Sequence, residues 1–494
     1  MARSTGIKAL RLWLIALLIG LGSPAVKADS RVCEANLAHS LEIRLNQPPL
    51  DRAYVGFLLQ TQARQGRPPR TLYGLHSDRL FTPASNLKLL TTAAALVYLG
   101  PDYRLRTSIY GQPEADGTTD LRLVGRGDPS LTALQLQDLA QQLGAAGVTR
   151  VRRLVLDDSY FPGLALNPTW EWEDIQFAYS PVVNSLIFNQ NALTLTLTPS
   201  QVGQPLNLQW SLNPGDQAGV INDTLTVAPE VTLEPQVVGR SQISGNFHLV
   251  GQMTKQDAPV TLELAVLNPA TAFSQAIQEA LRQAGIPVDS TVITPTPTPF
   301  KQPELAAVLS PPLGQLLLPA NQDSHNLYAE VLLKTLAMKA SLSPPEEASE
   351  AGTRAVKTIL GNLGVNTTGW VLVDGSGLSR HNLITPEALV ETLQVMANRP
   401  DGEIFRASLA VAGVSGTLRR RFNNSIVATH LQGKTGAMTG EVALSGYLQP
   451  PDYQPLVFSF IINHAPDSAH LLRERMDSIL EFIVHLSSTC AARK

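Results

Sequence analysis

The chain runs to 494 residues, more than a single hydrophobic core usually organises, so at least two domains are expected. It is 44% hydrophobic and 16% charged, with 38 basic against 41 acidic residues. That near balance gives no electrostatic footprint for nucleic acid or an anionic membrane surface, and sets both aside as partners.

At the N-terminus Arg3, Lys8 and Arg11 precede an apolar run over 12–22, and Val26-Lys27-Ala28 follows with small residues at its first and last positions. This pattern reads as a secretory signal peptide, residues 1–28, cut after Ala28. A membrane anchor is the alternative, but the run falls short of the ~20 apolar residues that span a bilayer. The mature protein is therefore expected outside the cytoplasm, periplasmic or otherwise extracytoplasmic, with no transmembrane anchor. Only two cysteines occur, Cys33 and Cys490. An oxidising compartment favours a disulfide between them over two unpaired thiols.

A helix is predicted over 34–45, then strands over 54–60 and 71–75 around a polar turn. A stronger helix follows over 85–99, with Thr82 as N-cap, Pro83 at the first helical position and Gly100 ending it. From about 103 to 291 the texture changes to short alternating apolar runs: 121–124, 151–156, 193–197, 206–210 and 260–264. Gly, Pro, Asn and Asp punctuate them, which predicts a largely β insert with helices over 132–146 and 272–284. The Thr-Pro repeat over 294–299 is stiff and extended, and marks the return linker. Helices over 326–340, 350–363 and 386–396 come next, then strands over 431–435, 441–448 and 456–463 and a last helix over 468–486. The outline is one α/β (α+β) domain, 29–102 with 301–494, split by an insert at 103–300 that holds one domain or two nested ones. If the first and last helices pack antiparallel, Cys33 and Cys490 become neighbours.

The chemistry centres on Ser85-Asn86-Leu87-Lys88. Positions three apart share a helix face, so the hydroxyl and the amine can meet. A serine needs a base to become a nucleophile near neutral pH, and a lysine serves if burial or a second cation lowers its pKa. This is the only Ser-x-x-Lys in the chain, and its flanks are apolar, an expensive place for an idle ammonium. Two further motifs follow in order. Ser324-His325-Asn326 stands just ahead of a helix, where its bland reading is a cap. Lys434-Thr435-Gly436 lies on a strand, where its bland reading is an edge lysine and a bulge glycine. Each bland reading is respectable singly, whereas the ordered set in helix, loop and strand contexts is hard to reach by accident.

Ser-x-x-Lys, Ser-x-Asn and Lys-Thr-Gly in this order resemble the motifs shared by penicillin-binding proteins and serine β-lactamases. With 239 positions separating Ser85 from Ser324, the chain looks like the low-molecular-mass class C penicillin-binding proteins, the D-alanyl-D-alanine carboxypeptidase/endopeptidase family. Segments 125–131, 374–380 and 412–418 also look like that family. His325 stands where the family more usually has Asp or Asn, and Ser415 where Asp is frequent; neither removes a group the chemistry requires. The resemblance implies a β-lactamase/transpeptidase-like domain with an antiparallel sheet flanked by helices. It also implies an acyl-enzyme on Ser85 with Lys88 as general base, peptidoglycan stem peptides as substrates and β-lactams as covalent inhibitors. Ser324 would relay a proton to the leaving amine, and Asn326 would bind the substrate amide and steady Lys88. Lys434 would supply positive potential, Thr435 and Gly436 would line the carboxylate site, and the amides of Ser85 and Ala437 would form an oxyanion hole. Asp174, Tyr179 and Met438 match positions that in some members hold the amine-bearing end of diaminopimelate; the alternative is that Asp174 caps a turn.

No cofactor or metal is implied, because the nine histidines show no ligand spacing. A β-lactamase would need a further group for fast deacylation, and no second acidic motif suggests itself. An exported scaffold would have no use for a Ser and Lys paired on one helix face. Ser376 and Ser415 lack the flanking glycines of an α/β-hydrolase nucleophile.

Overall fold

The computed structural model describes residues 31–489 except 65, 212–218, 230–235, 241–245, 298, 342 and 344. The expected signal peptide and Cys490 lie outside the described residues.

Two distant stretches of sequence meet in one six-stranded antiparallel sheet. Its order is Ala410–Val411, Leu431–Met438, Glu441–Leu448, Leu456–Asn463, Tyr54–Thr61 and Thr71–Leu75. Both faces are covered, so Glu441–Leu448 and Leu456–Asn463 are buried at every position and the twofold alternation sorts side chains between two cores. Val457 and Ile461 face one core with the helices Lys88–Leu99, Asn326–Ala340 and Pro386–Ala397. Phe458, Phe460 and Ile462 face the other, against the helices Glu34–Leu45 and Ala469–Ile483. The result is three layers, with the helix that carries Lys88 buried from Lys88 to Leu96.

The chain ends meet as well. Val32–Cys33 pairs in parallel with Leu486–Ser487, which puts Cys33 opposite Ser487, three residues before Cys490.

The insert has two cores. Its first half is a mixed five-stranded sheet, ordered Thr291–Thr294, Arg150–Asp157, Thr118–Val124, Arg106–Gly111 and Glu304–Leu309. The helices Ala133–Ala145 and Pro269–Gln283 cover it. Nested within this unit, two three-stranded sheets share the core of Leu195, Leu197, Phe247, Leu249 and Leu264. Glu304–Leu309 corrects the expected boundary at 300: it pairs with Arg106–Gly111, so the chain re-enters the larger body only at about Ser310.

The sequence missed the helices Leu313–Asn321 and Gly402–Ala407. Pro319 lies inside the first, where its lack of an N–H argues against a helix. The second has only six residues, too few for a periodic pattern.

Candidate active site

Ser85 does not sit in the first turn of an α-helix. Ala84–Leu87 is a 3₁₀ turn, and the α-helix begins at Lys88. Thr82 is no N-cap either, because Asn463 of the sheet captures its backbone, accepting from its N–H at 2.9 Å and donating to its carbonyl at 3.1 Å. Asn86 donates to Ser445 Oγ at 2.7 Å from the next strand. These bonds hold Ala84 in a left-handed conformation with φ of 47° and fix Ser85 at the mouth of the cleft.

The three motifs converge. Lys88 Nζ lies 2.8 Å from Ser85 Oγ, 2.6 Å from Asn326 Oδ1 and 2.7 Å from the Ser376 carbonyl. Lys434 Nζ lies 2.8 Å from Ser324 Oγ and 2.7 Å from the Thr435 carbonyl. Thr435 donates to Thr417 Oγ1 at 2.7 Å. Lys88, Asn326 and Lys434 are buried, Ser85, Ser324 and Thr435 are half-buried, and Ala437 is exposed, so the hydroxyls line an opening with the cations behind them. Gly436 allows the strand to approach: a Cβ there would stand 2.9 Å from the Pro83 carbonyl and 3.1 Å from Ser85 N. Its neighbour Ala437 thus comes to the nucleophile's side of the cleft.

Burial sets the charges. It lowers the Lys88 ammonium from its usual range to about 7, against the opposing pull of Asp374 and Glu330. Burial, then the nearby Lys88, holds Lys434 well below an ordinary lysine. His325 is pushed down to about 4 by burial and by Lys88, so its ring is neutral, with Nε2 2.6 Å from Gln190 Oε1.

The insert reaches into this site. Phe161, Trp170, Val183 and Ile187 belong to the core of the catalytic body. Lys334, buried on the helix Asn326–Ala340, donates to the Leu164 carbonyl at 2.8 Å and holds the insert's loop down. Asn326 Nδ2 donates to the Tyr179 carbonyl at 2.6 Å. Tyr179 OH donates to Asp174 Oδ1 at 2.7 Å. Arg380 joins this loop to the hairpin after Met438: its Nε meets Glu171 at 2.8 Å, Nη1 meets Glu441 at 3.2 Å, and Nη2 donates to the Thr439 carbonyl at 3.2 Å. Asp174 and Tyr179 therefore lie on the insert's loop, and Met438 ends the strand Leu431–Met438, half-buried. Burial and the neighbouring Glu171 and Glu173 raise the Asp174 carboxyl, while its bond to Tyr179 opposes them.

The D-Ala-D-Ala carboxypeptidase 3 (S13) family matches the chain over residues 37–483. The chain belongs to this family. It is 33% identical over 458 residues to the D-alanyl-D-alanine carboxypeptidase of Actinomadura sp. (strain R39), covering 89% of this chain and 83% of that one. It is 28% identical over 392 residues to the D-alanyl-D-alanine carboxypeptidase DacB of Haemophilus influenzae, covering 77% and 80%. In fold it is similar to penicillin binding protein 4 (dacB) of Haemophilus influenzae, with a TM-score of 0.78, 24% identity and coverage of 90% and 98%. As a member of the S13 family the chain is a serine D,D-peptidase of the D-Ala-D-Ala carboxypeptidase type.

Three groups escaped the sequence reading. Glu330 is buried on the helix that starts at Asn326, and its Oε1 accepts from Gly375 N at 3.0 Å and Ser376 N at 2.8 Å. Asp374, also buried, accepts from Trp170 Nε1 at 3.0 Å, Gly377 N at 2.8 Å, Ser379 N at 2.7 Å and Asn382 Nδ2 at 2.8 Å. The Ser376 carbonyl is the third. One signal was present: Glu330 follows Asn326 by four positions, on the same face of a largely apolar helix, where a carboxylate is rare unless paired.

Proposed function

We propose that this S13 peptidase works outside the cytoplasm on peptidoglycan stem peptides, releasing terminal D-alanine and cutting D-Ala–diaminopimelate cross-links through an acyl-enzyme on Ser85. The observation that carries the reading is the contact of a half-open hydroxyl with a buried amine at 2.8 Å, in a cleft that a second buried lysine also lines. Near neutrality a substantial share of Lys88 is uncharged and able to take the Ser85 proton as Oγ attacks the carbonyl between the two D-alanines. Two backbone amides, of Ser85 and Ala437, receive the oxyanion; donors of this kind contribute ~10²–10³ in rate. The C–N bond then breaks as the proton taken from Ser85 passes to the leaving amine through Ser324, whose Oγ Lys434 Nζ holds at 2.8 Å. Thr435 and Gly436 line the site for the substrate carboxylate. Water hydrolyses the ester and frees Ser85.

Asp174, Tyr179 and Met438 are assigned to the far end of a diaminopimelate side chain. An acidic loop beside an exposed aromatic ring suits an ammonium. β-Lactams are assigned as covalent inhibitors at Ser85; a bound β-lactam is named for the Haemophilus influenzae penicillin binding protein 4 of similar fold. Residues 1–28 are assigned as an export signal, and Cys33 and Cys490 as a cross-link. The parallel pairing of Val32–Cys33 with Leu486–Ser487 supports the cross-link. Among the described residues no helix is long and apolar enough to cross a membrane.

The test is incubation of purified protein with a D-Ala-D-Ala pentapeptide and with cross-linked muropeptides, separating the products by chromatography. Wild type should release D-alanine and monomers, and Ser85→Ala neither. Turnover by Ser85→Ala at the wild-type rate would overturn the reading.

A further inference from the structure

A neutral amine has two hydrogens and one lone pair, and a base is useful only if the lone pair faces the proton it must take. Lys88 Nζ has three oxygens within hydrogen-bond reach: Ser85 Oγ, Asn326 Oδ1 and the Ser376 carbonyl. The last two oxygens can only accept. When both engage the amine they occupy its two hydrogens, and the lone pair is left facing the Ser85 hydroxyl. Loss of either acceptor frees an N–H to swing toward Ser85, and the base then points the wrong way.

Each acceptor is held in turn. Asn326 is anchored through its amide to the Tyr179 carbonyl. The Ser376 carbonyl belongs to the Ser376–Gly377 peptide group, whose N–H is bound by Asp374 Oδ1 at 2.8 Å. The two preceding N–H groups, of Gly375 and Ser376, both go to Glu330 Oε1. Gly377 has φ of 79°, and a Cβ there would stand 1.9 Å from the Ala84 carbonyl, so this turn packs directly on the residue before the nucleophile. Two buried carboxylates thus grip three consecutive N–H groups beside the reacting lysine. Burying such groups is costly unless they are well bonded. A loop of this length can be anchored more cheaply.

We infer that Glu330 and Asp374 are positioning residues of the reaction, fixing residues 375–377 so that the Ser376 carbonyl takes one hydrogen of Lys88 and turns its lone pair to Ser85. This rests on Lys88 being the general base. Neither carboxylate touches the substrate.

The experiment measures the second-order rate constant for acylation by a fluorescent penicillin as a function of pH, with thermal melting as a check on folding. Glu330→Gln keeps the Oε1 acceptor and removes the charge. Its plateau rate should stay within about threefold of wild type, because the acceptor for the Gly375 and Ser376 N–H groups remains, and the rising limb should move only slightly to lower pH, because burial and Asp374 raise Glu330 itself to about 7. Glu330→Leu removes the acceptor and should lose ~10²-fold at every pH, the scale of a small misplacement in an active site. A folded Glu330→Leu acylated at the wild-type rate, or a Glu330→Gln that loses as much as Glu330→Leu, overturns the inference. Should Glu330→Leu not fold, the plateau of Glu330→Gln decides alone, and a loss beyond about tenfold overturns the inference. Lys88→Ala separates the two levels. If it is acylated at the wild-type rate, the base assignment itself fails; if it is inactive beside an active Glu330→Leu, only the positioning role fails.

Discussion

At the floor of the cleft Lys88, Asn326 and Lys434 are buried and hold partners at 2.6–2.8 Å. At the rim Asp174 is half-buried, Tyr179 is 46% exposed and Ala437 is open to solvent. Acylation needs an amine stripped of water, since desolvation is what moves Lys88 to about 7, and a stripped amine must have every hydrogen placed. Recognition of a long peptide needs a surface that exchanges water for ligand, and such a surface tolerates looser geometry. One loop of the insert serves both. Trp170 and the Tyr179 carbonyl brace the floor, while the Asp174 and Tyr179 side chains face the rim.

If that division holds, floor and rim variants separate by assay. Lys88→Ala removes the base and should lower penicillin acylation by ~10³-fold or more in stopped-flow measurements. Gly436→Ala sets a methyl 3.1 Å from Ser85 N and pushes the strand off the nucleophile, for an expected loss of ~10²-fold in the same assay. The pH profile follows from Lys88. The amine is neutral above its pKa, so acylation should rise with pH through about 7. At 1.5 pH units below that midpoint it should stand about thirtyfold under its plateau. Asp174→Asn belongs to the rim. It should cost ~10-fold in kcat/KM on diaminopimelate peptides and leave acylation by a small penicillin unchanged. A loss with both substrates would show that rim and floor are one unit.

How much of this the sequence revealed depends on the range of the interaction. Ser85 and Lys88 are three positions apart, and the helices and strands around the three motifs follow local periodicity, so that part was readable. Strand Leu431–Met438 ran longer than expected because Gly436 and Ala437 pair with Ala443 and Val442 across the hairpin. Glu304–Leu309 was unreadable because its partner lies near residue 106, about two hundred positions away. The same limit hid the grip on Lys88. Segment 374–377 resembled the family, but nothing local says that its N–H groups meet Glu330 or that Trp170 of the insert caps Asp374. The 3₁₀ turn at Ser85 depends on Asn463 from the far end of the chain, so Thr82 looked like an ordinary cap.

The central claim is that one hydroxyl, and no other, becomes covalently modified. Peptide mapping by mass spectrometry after incubation with benzylpenicillin tests it directly. The adduct should fall on the peptide containing Ser85 and vanish in Ser85→Ala, while the peptides of Ser324, Ser376 and Ser415 stay unmodified. An adduct on any of those three, or one that persists in Ser85→Ala, would contradict the account.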